Sequence, residues 1–211
     1  MRYIIFCNGS LDCPSLIKKF AVGSFKLICC DGGIRHAKKL NLIPDLIVGD
    51  LDSADSADVN YFKEKGVEFK IYPTEKNDTD SAMALNLAIE EKASEVYLFG
   101  ATGTRLDHTL ANVGMLINAE KAGVPAFIVD SNNTVEIILN EKSFKGKKGD
   151  NLSLIPISGV ARGVTTNGLY YPLENAELDF ARTRGISNVF VGEVATVTVK
   201  EGILAAIRAV D

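Results

Sequence analysis

Between residues 3 and 129, short apolar runs alternate with stretches whose apolar side chains recur every three or four positions, and this alternation constrains the fold more than any other feature. The runs at residues 3–7, 27–30, 46–48, 67–72, 96–99 and 126–129 read as strands. The segments 13–20, 34–41, 54–65, 81–92 and 107–122 read as helices, and Pro44, Gly66 and Gly123 supply stops after three of them. Strands that each hand over to a helix pair in parallel, and a parallel sheet needs helices on both faces. After residue 140 the pattern changes. Lys145-Gly146-Lys147-Lys148-Gly149-Asp150 is turn chemistry, and the runs at 152–157, 160–165, 194–199 and 203–207 are short, β-branched and separated by glycines. The expectation is an α/β chain: a Rossmann-like, parallel-sheet domain over residues 1–140 and a smaller all-β, sandwich-like domain over residues 141–211.

Charge and cysteine usage narrow the function. The net charge is −4, and no basic stripe with interleaved aromatics is present, which argues against nucleic acid as a partner. Lys145, Lys147 and Lys148 sit among glycines and read as a solvated loop. Cys7, Cys13, Cys29 and Cys30 lack Cys-x-x-Cys spacing, so buried free thiols and a reducing cytoplasm are expected. The apolar start at residues 1–6 is too short for a signal peptide, and nothing approaches the roughly 20 apolar residues of a membrane span.

Chemistry concentrates in the loops after the expected strands, where an open parallel sheet binds its ligands. In Val48-Gly49-Asp50-Leu51-Asp52-Ser53, an apolar run ends in a glycine and two carboxylates one residue apart. Gly49 allows a tight turn, and the carboxylates are hard donors suited to Mg²⁺ that carries phosphates. Alone, this stretch reads more readily as a polar turn with Ser53 as a helix cap, and the loops that accompany it shift the balance. Asp31-Gly32-Gly33, Asn77-Asp78-Thr79-Asp80 and the glycine-rich loop 100–108 follow other strands. Asp80 and Asp107 each also read as helix caps, and Gly32-Gly33 as a tight turn. Carboxylates gathered at one sheet edge repel one another unless a cation lies among them, which favours a metal site. Glycine loops and Arg105 suit phosphate, although neither a P-loop nor a complete Gly-x-Gly-x-x-Gly fingerprint is present. His36, on an expected helix, reads as a surface residue; His108 is balanced between ligand contact and structural hydrogen bond.

In their order, Asp31-Gly32-Gly33, residues 44–53 from Pro44 to Ser53, Thr79-Asp80, Arg105-Leu106-Asp107-His108 and the late Ile186-Ser187-Asn188 resemble the motifs of the thiamin pyrophosphokinase family. The resemblance implies transfer of a pyrophosphoryl group from ATP, the co-substrate, to the hydroxyl of thiamin, giving thiamin diphosphate and AMP. It implies Mg²⁺ held by Asp31, Asp50, Asp52 and Asp80, directly or through water, with catalysis by Asp50, Asp52, Asp80 and Arg105. It further implies a nucleotide lined by Asp31, Gly32, Gly33, Gly100, Gly103, Arg105, Asp107 and His108. Thiamin would be held by Asn77, Ser187 and Asn188, with the β domain also making a homodimer. One departure is that the family's Asp-x-Thr-Asp begins here with Asn77; either Asn77 serves as a neutral ligand or Asp78 supplies the charge. Two rivals are a haloacid-dehalogenase-like phosphatase, for which a downstream lysine and acidic pair find no ordered match, and a non-catalytic nucleotide sensor, which would not need the full carboxylate set.

Overall fold

The computed structural model describes all residues except Cys13, Thr74, Lys76 and Asp211, and leaves the side chain of Pro14 undescribed. The expected buried thiol at Cys13 and the helix start placed there therefore lie outside the described residues, as do two positions of the loop before Asp80. The chain forms two compact units, Met1–Ser131 and Asn132–Asp211.

The first unit contains β1 (Arg2–Phe6), α1 (Pro14–Phe20), β2 (Phe25–Cys30), a single 3-10 turn (Asp31–Gly33), α2 (Ile34–Lys39), β3 (Leu46–Gly49), α3 (Ser56–Glu64), β4 (Glu68–Ile71), α4 (Asp80–Glu90), β5 (Glu95–Phe99), α5 (Leu106–Lys121) and β6 (Ala126–Val129). Its strands lie in the order β6-β5-β1-β2-β3-β4, and every pair is parallel. The chain steps outward from β1 to β4, then returns to the other side of β1 for β5 and β6. The order of connection therefore reverses between β1 and β5, and ligands of such sheets bind beyond the C-terminal strand ends near that switch point. Alternate side chains sort the helices. Ile4, Phe6, Leu27, Cys29, Ile47 and Phe99 cluster with Ile17, Ile34, Ala37, Val59 and Phe62 from α1 to α3. On α4 and α5, which touch each other, Ala84, Leu85, Ala88, Leu116 and Ala119 are buried, and α4 packs on β1, β2 and β3.

Helix starts differ in detail from the sequence reading. Asp55, not Ser53, caps α3, its carboxylate accepting from Ala57 N at 2.7 Å. Thr79 caps α4 by accepting from Ala82 N at 3.3 Å, which leaves the Asp80 carboxylate out of the cap. Arg105 occupies the cap position of α5 without a side-chain cap bond, so Asp107 is not its cap either. His36 is buried, contrary to the surface expectation: its ring meets Phe6 edge-on at 6.3 Å, and Nε2 lies 3.0 Å from the Gly9 carbonyl.

The second unit is antiparallel throughout. It contains β7 (Asn133–Ile138), β8 (Glu141–Lys145), β9 (Asn151–Pro156), β10 (Val160–Asn167), β11 (Ala176–Asp179), β12 (Asn188–Val189), β13 (Val194–Thr198) and β14 (Leu204–Ala209). Within it, β12-β9-β14-β7 and β11-β10-β13-β8 form two strand sets. Leu152, Leu154 and Leu204 from one set and Phe144, Val164, Leu178 and Val197 from the other share a single apolar core, which is a sandwich. The unit begins at Asn132, ahead of the composition change at 140, because β7 precedes the glycine-rich turn that marks the change.

Candidate active site

A cleft of about 410 Å³ opens in the first unit beyond the C-terminal ends of β1, β2, β3 and β5, bounded by the first turns of α4 and α5. Its acidic side is built from three connections. Asp31 leaves β2 with a left-handed backbone (φ +47°), and Leu51 does the same after β3 (φ +65°), conformations that a non-glycine residue keeps where the surroundings fix it. Gly49 has φ +143°, and a Cβ there would stand 3.2 Å from both Asp31 Cβ and Asp80 Cγ. The missing side chain is what lets β3 and the two carboxylates converge. Asp31, Asp50 and Asp52 each present an oxygen within 4.8 Å of the others.

Backbone and hydroxyl donors hold this group in place. Ser53 N donates to Asp31 Oδ1 at 3.3 Å, Asp52 N to Asp50 Oδ1 at 3.3 Å, and Ser53 Oγ to Asp52 Oδ1 at 2.9 Å. Burial pushes the Asp31 carboxyl above its usual range, the negative charges of Asp52 and Asp80 push it further, and hydrogen bonding by the Ser53 side chain and the Gly32 backbone acts against them. A hard divalent cation fits such a cluster: Asp31, Asp50 and Asp52 offer carboxylate oxygens within reach of one another, and Gly49 keeps a Cβ out of the space between Asp31 and Asp80.

The opposite wall comes from the loops after β1 and β5, which continue the parallel ladder past the strands. Cys7 N donates to Phe99 O at 2.8 Å, Gly9 N to Gly100 O at 2.7 Å and Ser10 N to Thr102 O at 3.0 Å. A Cβ at Gly9 would fall 2.2 Å from Thr102 O and 2.4 Å from Gly100 O, so this join requires glycine. The buried Asn112 amide donates to Ala101 O at 2.7 Å, and Thr102 Oγ1 donates to Asp130 Oδ2 at 3.0 Å. Arg105 at the rim is exposed and donates to Asp107 at 3.2 and 2.6 Å. That guanidinium holds the Asp107 carboxyl down at about 2.

Of the residues singled out in the sequence, Asp31, Asp50, Asp52, Asp80, Gly100, Gly103, Arg105 and His108 line the cleft. Gly32, Gly33, Asn77, Asp78 and Asp107 do not. Gly33 is there for packing, since a Cβ would sit 2.2 Å from Phe6 O. Ser187 and Asn188 are in the second unit. Ser187 is exposed with φ +56°, and its N–H donates to Ser153 Oγ at 2.9 Å. Asn188 is buried and employed by its neighbours: Oδ1 accepts from Tyr171 N and Val189 N, both at 2.9 Å, and Nδ2 donates to Tyr171 O at 2.7 Å. The sequence reading missed Asn8, Ser53 and Asn112 in the lining and Arg35 behind it. Asn8-Gly9 carried a signal only as a strand-ending turn.

Comparison with known proteins accords with this geometry. The family model described as thiamin pyrophosphokinase, catalytic domain, matches residues 17–128, and that described as thiamin pyrophosphokinase, vitamin B1 binding domain, matches residues 133–204. A thiamine pyrophosphokinase of Bacillus subtilis is 30% identical over 173 residues, covering 81% of this chain and 80% of the relative. The solved structure of thiamine pyrophosphokinase from Bacillus subtilis superposes with a TM-score of 0.90 at 26% identity, covering 100% of both chains. That of the Geobacillus thermodenitrificans protein gives 0.87 at 30% identity, covering 100% of this chain and 98% of that one. With both family models matched in order and the full fold shared, the chain belongs to the thiamin pyrophosphokinase family.

Proposed function

We propose that the cleft of the first unit is where the chain performs its family's reaction, with the carboxylates of Asp31, Asp50, Asp52 and Asp80 as the functional core. The chain is an ATP:thiamin diphosphotransferase, moving the pyrophosphoryl group of ATP to thiamin. The thiamin hydroxyl oxygen forms a bond to the β-phosphorus, the bond from that phosphorus to the oxygen bridging it to the α-phosphorus breaks, and AMP leaves with the bridging oxygen. The hydroxyl proton passes to a carboxylate of the cleft. The observation that carries the assignment is the convergence of these aspartates on one cleft with Arg105 at its rim.

Asp31, Asp50 and Asp52, with Asp80 directly or through water, would hold Mg²⁺. Bound there, the ion would neutralise phosphate charge and orient the reacting groups. Arg105 binds phosphate oxygens as a charged fork, exchanging Asp107 for the substrate. Gly100 and Gly103 let the nucleotide approach the β5 loop closely, and His108 lines the same side. For the family's Asp-x-Thr-Asp loop, Asn77 or Asp78 takes the first position; both are exposed. The second unit supplies thiamin recognition through Ser187 and Asn188, a reading supported by the matched vitamin B1 binding domain, and it also joins two chains as a homodimer. The free, buried thiols of Cys7, Cys29 and Cys30 support a reducing, cytoplasmic setting, and no helix of the described residues is long and apolar enough to cross a membrane. The net charge of −4 supports small-molecule partners over nucleic acid.

The phosphatase reading is weaker, since both matched family models are those of thiamin pyrophosphokinase. Incubation with ATP, Mg²⁺ and thiamin decides between them. AMP and thiamin diphosphate should appear in equal amounts without ADP, whereas phosphate release independent of thiamin would indicate a hydrolase.

A further inference from the structure

The loop after β1 is tied down on two sides. Toward β5, the N–H groups of Gly9 and Ser10 are consumed by Gly100 O and Thr102 O. Toward the 3-10 turn stands Arg35, which donates from Nη1 to Asn8 Oδ1 and to Gly32 O at 3.0 Å, and from Nη2 to Asn8 O at 2.7 Å and Gly9 O at 2.9 Å. A guanidinium has five N–H groups and no acceptor. Four of the five end on this loop and turn, so Arg35 has little left to offer a phosphate.

What Arg35 does instead is decide which way the Asn8 amide faces. A pure donor can face only the amide oxygen, so the NH₂ is left as the unused part of the side chain, and among the described residues it has no protein partner. Gly32 makes the seat for that amide, because a Cβ there would lie 2.4 Å from Asn8 Oδ1 and 2.9 Å from Nδ2. Asn8 lines the cleft, whose other polar groups include the aspartates. A polyphosphate entering beside those carboxylates needs neutral or cationic donors, and the Asn8 NH₂ is a neutral donor held in position.

We propose that Asn8 binds the nucleotide, donating from Nδ2 to an oxygen of the triphosphate, and that Arg35 is the positioning residue that presents this end of the amide to the ligand. The proposal rests on reading the cleft as the ATP site. Asn8→Asp keeps an oxygen toward Arg35 but places an anionic oxygen where the NH₂ stood. Isothermal titration of the full chain with ATP and Mg²⁺, without thiamin, should show ATP bound at least about tenfold more weakly by Asn8→Asp, with the melting temperature maintained. An unchanged ATP affinity in that variant overturns the role of Asn8. Arg35→Ala should weaken ATP binding in the native background and add nothing in an Asn8→Ala background. Additive losses would make Arg35 a strut of the loop and overturn its positioning role. If Asn8→Asp behaves as native while Asp50→Asn or Asp52→Asn abolishes Mg²⁺-dependent ATP binding, this inference fails and the cleft assignment stands; if the native chain does not bind ATP, both fail.

Discussion

At the scale of single residues, Asp31 is placed against its own electrostatic preference, and predictions follow from it and from His36. Asp31 is buried beside two other carboxylates, so its charge destabilises the folded chain in the absence of a cation. Asp31→Asn should therefore raise the melting temperature without metal and reduce the further rise produced by Mg²⁺, while turnover falls by about a hundredfold or more. Calorimetry with and without Mg²⁺, alongside product formation, checks this; near-native turnover removes Asp31 from the machinery. His36 carries the opposite kind of information. Burial holds its pKa down at about 4, Arg35 and Lys39 add to the effect, and the Gly9 carbonyl and Asp12 oppose it. Because the folded value lies below the unfolded one near 6.5, the neutral ring is favoured by the fold, and stability is lost as pH falls from 6.5 toward 4. The loss amounts to roughly 2 kcal/mol between pH 7 and pH 5. His36→Gln, which can still donate to Gly9 O, should show a smaller drop in melting temperature over that interval; parallel curves would assign the acid sensitivity elsewhere. The aspartates were legible in the sequence because Asp31, Asp50 and Asp52 follow an apolar strand within a few residues and Asp80 opens the next strongly periodic helix. His36 and Arg35 were not, because their partners at Gly9 and Asn8 lie 27 residues away in sequence, and no periodicity reports such a pairing.

At the scale of elements, legibility follows how much apolar side chain a segment commits to the core. Both-face-buried strands such as β1, β2 and β3 stand out as continuous apolar runs, and the long α4 and α5 by their periodicity. β7, β8, β11 and β12 escaped notice: Asn133–Ile138 breaks its apolar run with Glu136, Glu141–Lys145 buries one residue well, Ala176–Asp179 is four residues long, and Asn188–Val189 is two. They exist because β14, β13, β10 and β9 offer them paired edges, which is information from elsewhere in the chain. The same dependence governs the junction of β1 and β5. Gly9→Ala would drive a methyl into two carbonyl oxygens and separate the loops, so ATP affinity should fall by more than about tenfold, together with stability by several kcal/mol. Gly103→Ala is the control, since its Cβ would meet nothing closer than 3.5 Å, and its melting temperature should stay near native. Equal destabilisation by both changes would mean that the close approach at Gly9 is not what holds the loops together.

At the scale of the whole molecule, the chain forms two units with separate cores, and the proposed division of the two substrates between them is open to test at neighbouring positions of the second unit. Ser187 and Asn188 were paired in the sequence reading as thiamin contacts, yet their surroundings differ. The Asn188 amide makes three hydrogen bonds to backbone at Tyr171 and Val189 and is buried, so Asn188→Ala should cost about 2–4 kcal/mol by leaving those groups unpaired. Any loss of thiamin affinity in that variant should be accompanied by a lower melting temperature. Ser187 is held by its backbone, through the bond from its N–H to Ser153 Oγ, and its exposed hydroxyl is available to a ligand. Ser187→Ala should leave the melting temperature within about 1 °C of native, because an exposed hydroxyl contributes little to the fold. If that hydroxyl hydrogen-bonds thiamin, affinity falls by about three- to tenfold, the value of one neutral hydrogen bond, while ATP affinity is unchanged. Titration of each ligand into each variant separates the outcomes. Equal weakening of ATP and thiamin in Ser187→Ala would signify global damage, and unchanged affinity for both would take Ser187 out of the acceptor site and leave thiamin recognition to other residues of the second unit.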